Sequence, residues 1–151
     1  MKNPELCFMR GMKTAYIDLS DVPNHSSWAN SWKVFVPRAN NIGTELPDDN
    51  LNSFVASPGT VCTESYIAVG AEMGLDESTA NALAKYLRTK FVRFLHSLAK
   101  VSQDATSKTY RFVPLLDLGE ALDDRSLYER YGFTSSEVAF IEESIAPMGE
   151  V

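Results

Sequence analysis

Apolar side chains keep a helical beat through one long stretch of the chain and a shorter, alternating beat elsewhere. Ala80, Leu83, Ala84, Leu87, Phe91, Phe94, Leu95 and Leu98 recur at the spacing that lines one face of a helix. Asp76 or Ser78 can cap its start and Leu75 can act as a staple, so the pattern predicts one amphipathic helix over about 76–100. β-Branched and aromatic runs predict strands at Thr14–Leu19, Lys33–Pro37, Ser53–Ala56, Val61–Val69 and Thr109–Leu116, with Pro114 confining the last to an edge or a strand end. Ser126–Tyr131 reads as a short helix closed by Gly132. Thr134 with Glu137 forms a capping-box pattern opening a helix through Ile145, with Val138, Ile141 and Ile145 on one face.

Between these elements the chain turns polar. Residues 20–32 predict a loop, or a short helix after Asn24, and residues 38–53 a long polar connection. Residues 1–13 show no clear period and are expected to be loosely held. The element order predicts an α+β fold: a small mixed or antiparallel sheet packed with one long amphipathic helix and short C-terminal helices. It forms a single domain over 14–147.

Composition narrows the class without naming it. The 151 residues, 44% hydrophobic and 23% charged, are those of an ordinary globule, and no run of about eighteen apolar residues predicts a membrane span. Cys7 and Cys62 stand far apart with no CxxC, which predicts free thiols in a cytoplasmic chain. Charge changes the picture more. Residues 85–111 carry a net +6, against −5 for residues 1–84 and −7 for residues 112–151. A local positive stripe attracts polyanions even when the whole molecule is acidic. On a helix with Leu87 and Phe91 turned inward, Lys85, Arg88, Lys90, Arg93 and Lys100 spread over the outer face, and Lys108 and Arg111 extend it. The plain alternative is a solvated helix surface balanced by acids from elsewhere in the chain.

Other candidate chemistry is weaker. The stretch Arg38–Thr44 offers Arg38, Asn40 and Asn41 for base edges, since Arg forks onto guanine and Asn pairs doubly with adenine; it also suits an ordinary turn. Cys62 with His25 or His96 lacks a recognisable nucleophilic setting, and a buried strand cysteine explains it as well. Asp48 and Glu64 make a faint carboxylate pairing, Tyr66 falls where a metal nuclease places lysine, and zinc spacing is missing. Trp28 and Trp32 can stack on bases or simply pack a loop. Neither a P-loop nor GxGxxG occurs. No catalytic or metal residue is assigned.

Several blocks together carry a family likeness. They are Trp32–Asn40 (WKVFVPRAN), Val61–Ile67 (VCTESYI), Lys90–Leu95 (KFVRFL), Val101–Thr106 (VSQDAT), Tyr110–Leu115 (YRFVPL), and the tail Leu127–Gly132 (LYERYG) followed by Glu137–Glu142 (EVAFIE). In order and spacing they resemble the carboxy-terminal, TaqI-like target-recognition region of bacterial type II restriction–modification adenine-specific DNA methyltransferases, over roughly residues 14–147. The family's Asn-Pro-Pro-aromatic motif is missing, because Asn3-Pro4 is followed by Glu5, and so is a glycine-rich S-adenosylmethionine site. The resemblance therefore implies a non-catalytic specificity domain. Its partners are double-stranded DNA and an N-terminal methyltransferase domain or subunit, which would hold the S-adenosylmethionine. Residue chemistry and resemblance together put Lys90, Arg93, Lys100, Lys108 and Arg111 on phosphates and Arg38, Asn40 and Asn41 on base edges. Thr63, Glu64 and Gln103 stand in a second tier. The rival class is a protein-interaction or scaffolding domain whose basic helix docks on an acidic partner. That partner includes its own segment bearing Asp117, Glu120, Asp123 and Asp124.

Overall fold

The structure is a computed structural model that describes residues 1–39, 53–100 and 106–145. It is α+β, with two three-stranded sheets and four α-helices among those residues. The first sheet has the order β2-β1-β5: β1 (Pro4–Met9) pairs antiparallel with β2 (Lys13–Asp18) and parallel with β5 (Thr60–Cys62). The second is antiparallel, with β3 (Lys33–Pro37) between β4 (Phe54–Ala56) and β6 (Tyr66–Val69). The stretch expected to be loose at the amino terminus is thus the central strand of a sheet. Both faces of β1 are covered, so its sequence carries no polar alternation to betray it.

Every residue of β3 is buried, which fits a central strand packed on both faces. Val34 and Val36 point into the main core with Leu83, Leu87, Phe91, Val92, Leu127 and Ile141 from the helices. Phe35, on the opposite face, joins Ala56 and Tyr66, and Phe8 and Cys62 of the first sheet pack against that cluster. Phe8 lies 4.8 Å from Phe54 and 6.1 Å from Phe35, ring centre to ring centre, so aromatic edges join the two sheets. The first sheet's outer face, with Cys7 and Val61, is closed by Ala29 in a 3-10 segment at Ser26–Asn30. The layers therefore run from that segment through two sheets to the helices.

The long helix expected over 76–100 is two helices, α1 (Glu77–Leu87) and α2 (Lys90–Ala99). Thr89 adopts an extended backbone and its hydroxyl accepts from Val92 N–H, restarting the helix as an N-cap. Asp124 then takes the backbone N–H groups of Lys90 and Phe91 at 3.2 and 2.8 Å. Two capping devices at one point explain why the apolar period crosses a break it does not reveal. Asp76 and Thr79 form the capping box that opens α1, and Gly70, at φ +84°, leaves room for Leu83 and Leu75, whose methyls a Cβ there would overlap at 2.7 and 2.8 Å. The strand expected over Thr109–Leu116 is a 3-10 turn at Ser107–Tyr110 followed by irregular chain. The run Val61–Val69 is two strands parted by a turn at 63–65 that switches sheets. Helices α3 (Asp124–Arg130) and α4 (Ser135–Ser144), the latter with the Thr134–Glu137 capping box, follow the pattern in the sequence.

Candidate nucleic-acid interface

Three candidate base-reading residues meet at one corner of the molecule. Arg38 leaves the end of β3, and its N–H donates to Ser65 O at 3.0 Å, across the turn that joins β5 to β6. That turn holds Thr63 and the exposed Glu64, and is fixed to the first sheet by Thr63 N–H to Phe8 O at 3.0 Å. Tyr66 N–H to Thr63 O at 3.2 Å closes it. Backbone bonds to both sheets thus set the positions of an exposed guanidinium, a hydroxyl and a carboxylate. Asn40 and Asn41 lie outside the described residues, as does Gln103.

The basic stretch does not fold as one outward stripe, because the break at Arg88 and Thr89 turns its two halves differently. Arg88 is partly buried and bonds Ser53 through Nε to Oγ at 3.1 Å and through Nη2 to the carbonyl; burial lowers its pKa. Arg93 is 2% exposed, its Nε donating to Arg88 O at 3.0 Å, and its charge acts on Glu142 of α4 and Tyr128 of α3. Lys90 forms an ion pair with Glu142, whose other oxygen accepts from Tyr128 Oη at 3.1 Å. The Lys90 contact is the first cause of a lowered Glu142 pKa. Lys100 is the half-buried C-cap of α2. Exposed positions fall to Lys85 on α1 and to Lys108 and Arg111 beyond α2. Arg93 is buried and Lys90, partly exposed, is already paired with Glu142, so the phosphate roles expected of them do not fit their surroundings.

The acids take up other cations too. Glu120 pairs with Arg130, and Arg125 with Glu129 at 3.3 Å on exposed surface. A hollow of about 390 Å³ lies between Lys85, Tyr86, Arg88 and Thr89 on one wall and Glu120, Asp123 and Asp124 on the other. Its acids already serve as helix caps or ion-pair partners.

The remaining candidates resolve into packing. Trp28 stacks on His25 at 3.9 Å and donates to Glu72 Oε1 at 3.0 Å, holding its loop. His96 packs on Tyr110 in the helical layer, while Cys62 belongs to the aromatic cluster between the sheets, where burial pushes its thiol up to about 11. Cys7 and Cys62 face opposite sides of their sheet and are both free thiols. Asp48 lies outside the described residues, and among those described no cluster of three His, Cys, Asp or Glu can hold a metal ion. No helix among them is long and apolar enough to cross a membrane.

Sequence reasoning misses a pair of buried charges at the sheet junction. Lys33 is 1% exposed, its ammonium donating to Ser31 O at 2.8 Å and Ser57 O at 3.5 Å. Glu5 is 8% exposed and its Oε2 has no hydrogen-bond partner among the described residues. Only the start of a hydrophobic strand at Lys33 hints at this. No protein-family model matches the chain, and the searches of curated proteins and of solved structures returned no match either.

Proposed function

We propose that this chain is the DNA-recognition part of a bacterial restriction–modification adenine methyltransferase. The methyl-transfer chemistry and its S-adenosylmethionine belong to a methyltransferase domain or subunit outside these residues. The observation that supports this reading is the corner where Arg38, Thr63 and Glu64 converge, fixed by backbone bonds to two sheets. Methylation of a base inside a duplex requires that base to leave the stack. Flanking bases must then be read by a separate, rigid surface, and guanidinium, hydroxyl and carboxylate groups supply the donors and acceptors that base edges need. Lys108 and Arg111 contribute phosphate contacts.

Selection of bound duplexes from a randomised pool, followed by fluorescence anisotropy, tests this with the chain alone and joined to its methyltransferase partner. An enriched sequence is expected, and Arg38→Ala or Glu64→Ala should flatten the preference while leaving affinity for random DNA nearly unchanged. Failure of both forms to bind any duplex at low salt would refute the proposal.

A second reading has its own observation. Asp124 of α3 and Glu142 of α4 hold the start of α2 and Lys90, as a protein-interaction or scaffolding domain with a self-docked basic helix would have it. Equal affinity for poly-glutamate and for duplex DNA, or a preference for the polypeptide, would favour that reading.

A further inference from the structure

Residues 106–115 carry Lys108 and Arg111 and no acid. They form a 3-10 turn and an irregular stretch held firmly from beneath. Thr106 and Thr109 cap each other, with Thr106 N–H donating to Thr109 Oγ1 at 3.0 Å and that hydroxyl to Thr106 O at 2.8 Å. Thr109 is buried, and the Tyr110 ring lies 4.3 Å from His96 of α2. Tyr86 Oη, from α1, donates to Pro114 O at 2.7 Å. These anchors leave the other side chains outward: Lys108 and Arg111 are exposed, Phe112 is 48% exposed and Leu115 80%. The Arg111 guanidinium lies 4.9 Å from the centre of the Phe112 ring. Neither Lys108 nor Arg111 pairs with a carboxylate among the described residues. Asp117, on the carboxyl side, turns its Oδ1 back to Gly119 N–H at 2.8 Å, and Asp104, four residues before Lys108, lies outside the described residues.

Scattered exposed apolar side chains are ordinary, but an exposed phenylalanine and leucine on an anchored stretch, beside two cations that pair with no carboxylate among the described residues, are not. A partner must offer negative charge beside flat apolar surface, and nucleic acid does so with phosphates beside base faces. Resting on the DNA-binding reading above, we propose that Phe112 and Leu115 form an apolar wedge that stacks against an unpaired or unstacked base, with Lys108 and Arg111 on the adjoining phosphates. Phe and Leu are the residue types that enter base steps in this way, and the Arg111 contact holds the ring against collapse onto the surface. The wedge is separate from the corner at Arg38: one reads base edges, the other supports a disturbed stack.

Two fluorescein-labelled duplexes of one sequence, fully paired and with a single unpaired adenine, test the wedge by anisotropy. The unpaired base should be favoured about tenfold by the complete chain. Phe112→Ala and Leu115→Ala should bring that ratio near unity while changing affinity for the paired duplex by less than about twofold. Lys108→Glu with Arg111→Glu should weaken both duplexes alike. Both apolar positions are exposed, so their replacement leaves the fold intact. Equal binding of the two duplexes by the complete chain, or an unchanged ratio in the alanine variants, would overturn the wedge and leave the DNA reading standing. Failure to bind either duplex would remove both. Competition by poly-glutamate that Phe112→Ala abolishes would assign the surface to a protein and also overturn the wedge.

Discussion

Lys33 shows what a single side chain can impose. Its ammonium is buried where the connection between β4 and β5 passes the start of β3, and its hydrogen bonds go to carbonyls at Ser31 and Ser57. Burial pulls its pKa down to about 8, and the nearby Cys62 and Glu5 only partly oppose the fall. The unfolded chain keeps an ordinary lysine, so above pH 8 the unfolded state binds the extra proton and stability rises with pH. Cys62, raised to about 11 from 9.0, and Cys7, also raised by burial, work in the opposite sense, weakly below pH 9 and strongly above it. Between pH 8 and 9 Lys33 should therefore raise the free energy of urea denaturation by about 1 kcal/mol, less roughly a few tenths for the thiols. Lys33→Met should abolish that rise, and a slope unchanged in the variant would refute the assignment. None of this is legible in Lys-Val-Phe-Val-Pro, because burial of the first residue depends on the sheet packed over it.

At the scale of elements, the break between α1 and α2 decides what the basic segment becomes. Thr89 alone, half-buried within a helical apolar period, does not declare a boundary; with Asp124 folded onto the next turn it becomes one. Asp124→Ala removes the acceptor for two backbone N–H groups at a helix N-terminus and should destabilise the protein by about 1–2 kcal/mol in denaturant titrations. Loss of helix signal at the same denaturant midpoint as the wild type would contradict this. The sequence reveals α4 and most strands, whose caps and alternation are local. It hides β1, whose two faces are both covered, and it misreads Thr109–Leu116, where β-branched and aromatic residues serve a turn packed on α2. It also joins α1 to α2, because the partner that parts them lies more than thirty residues away, at Asp124.

Across the whole molecule, folding spends part of the charge segregation inside. Seven free cations in residues 85–111 would give a slope of log affinity against log salt near −6. With Arg88, Lys90 and Arg93 engaged internally and Lys100 half-buried, Lys85, Lys108 and Arg111 remain, for a slope of about −3. Anisotropy across a salt series distinguishes the two, and a slope near −6 would mean that α3 and α4 leave α2 when DNA binds. The candidate interface was half legible for the same reason. Arg38, Thr63 and Glu64 are named by their chemistry, and only the topology brings them together. Which cations stay outside depends on the distant acids of α3 and α4.

The central place of β1 has one more consequence, for the order in which the chain can assemble. Leu6 finds its parallel neighbour at Thr60, so β1 must wait for a strand that follows it by about fifty residues. Until β5 arrives, the β1–β2 hairpin presents an open edge of unpaired backbone, and chains halted before residue 60 leave that edge uncovered.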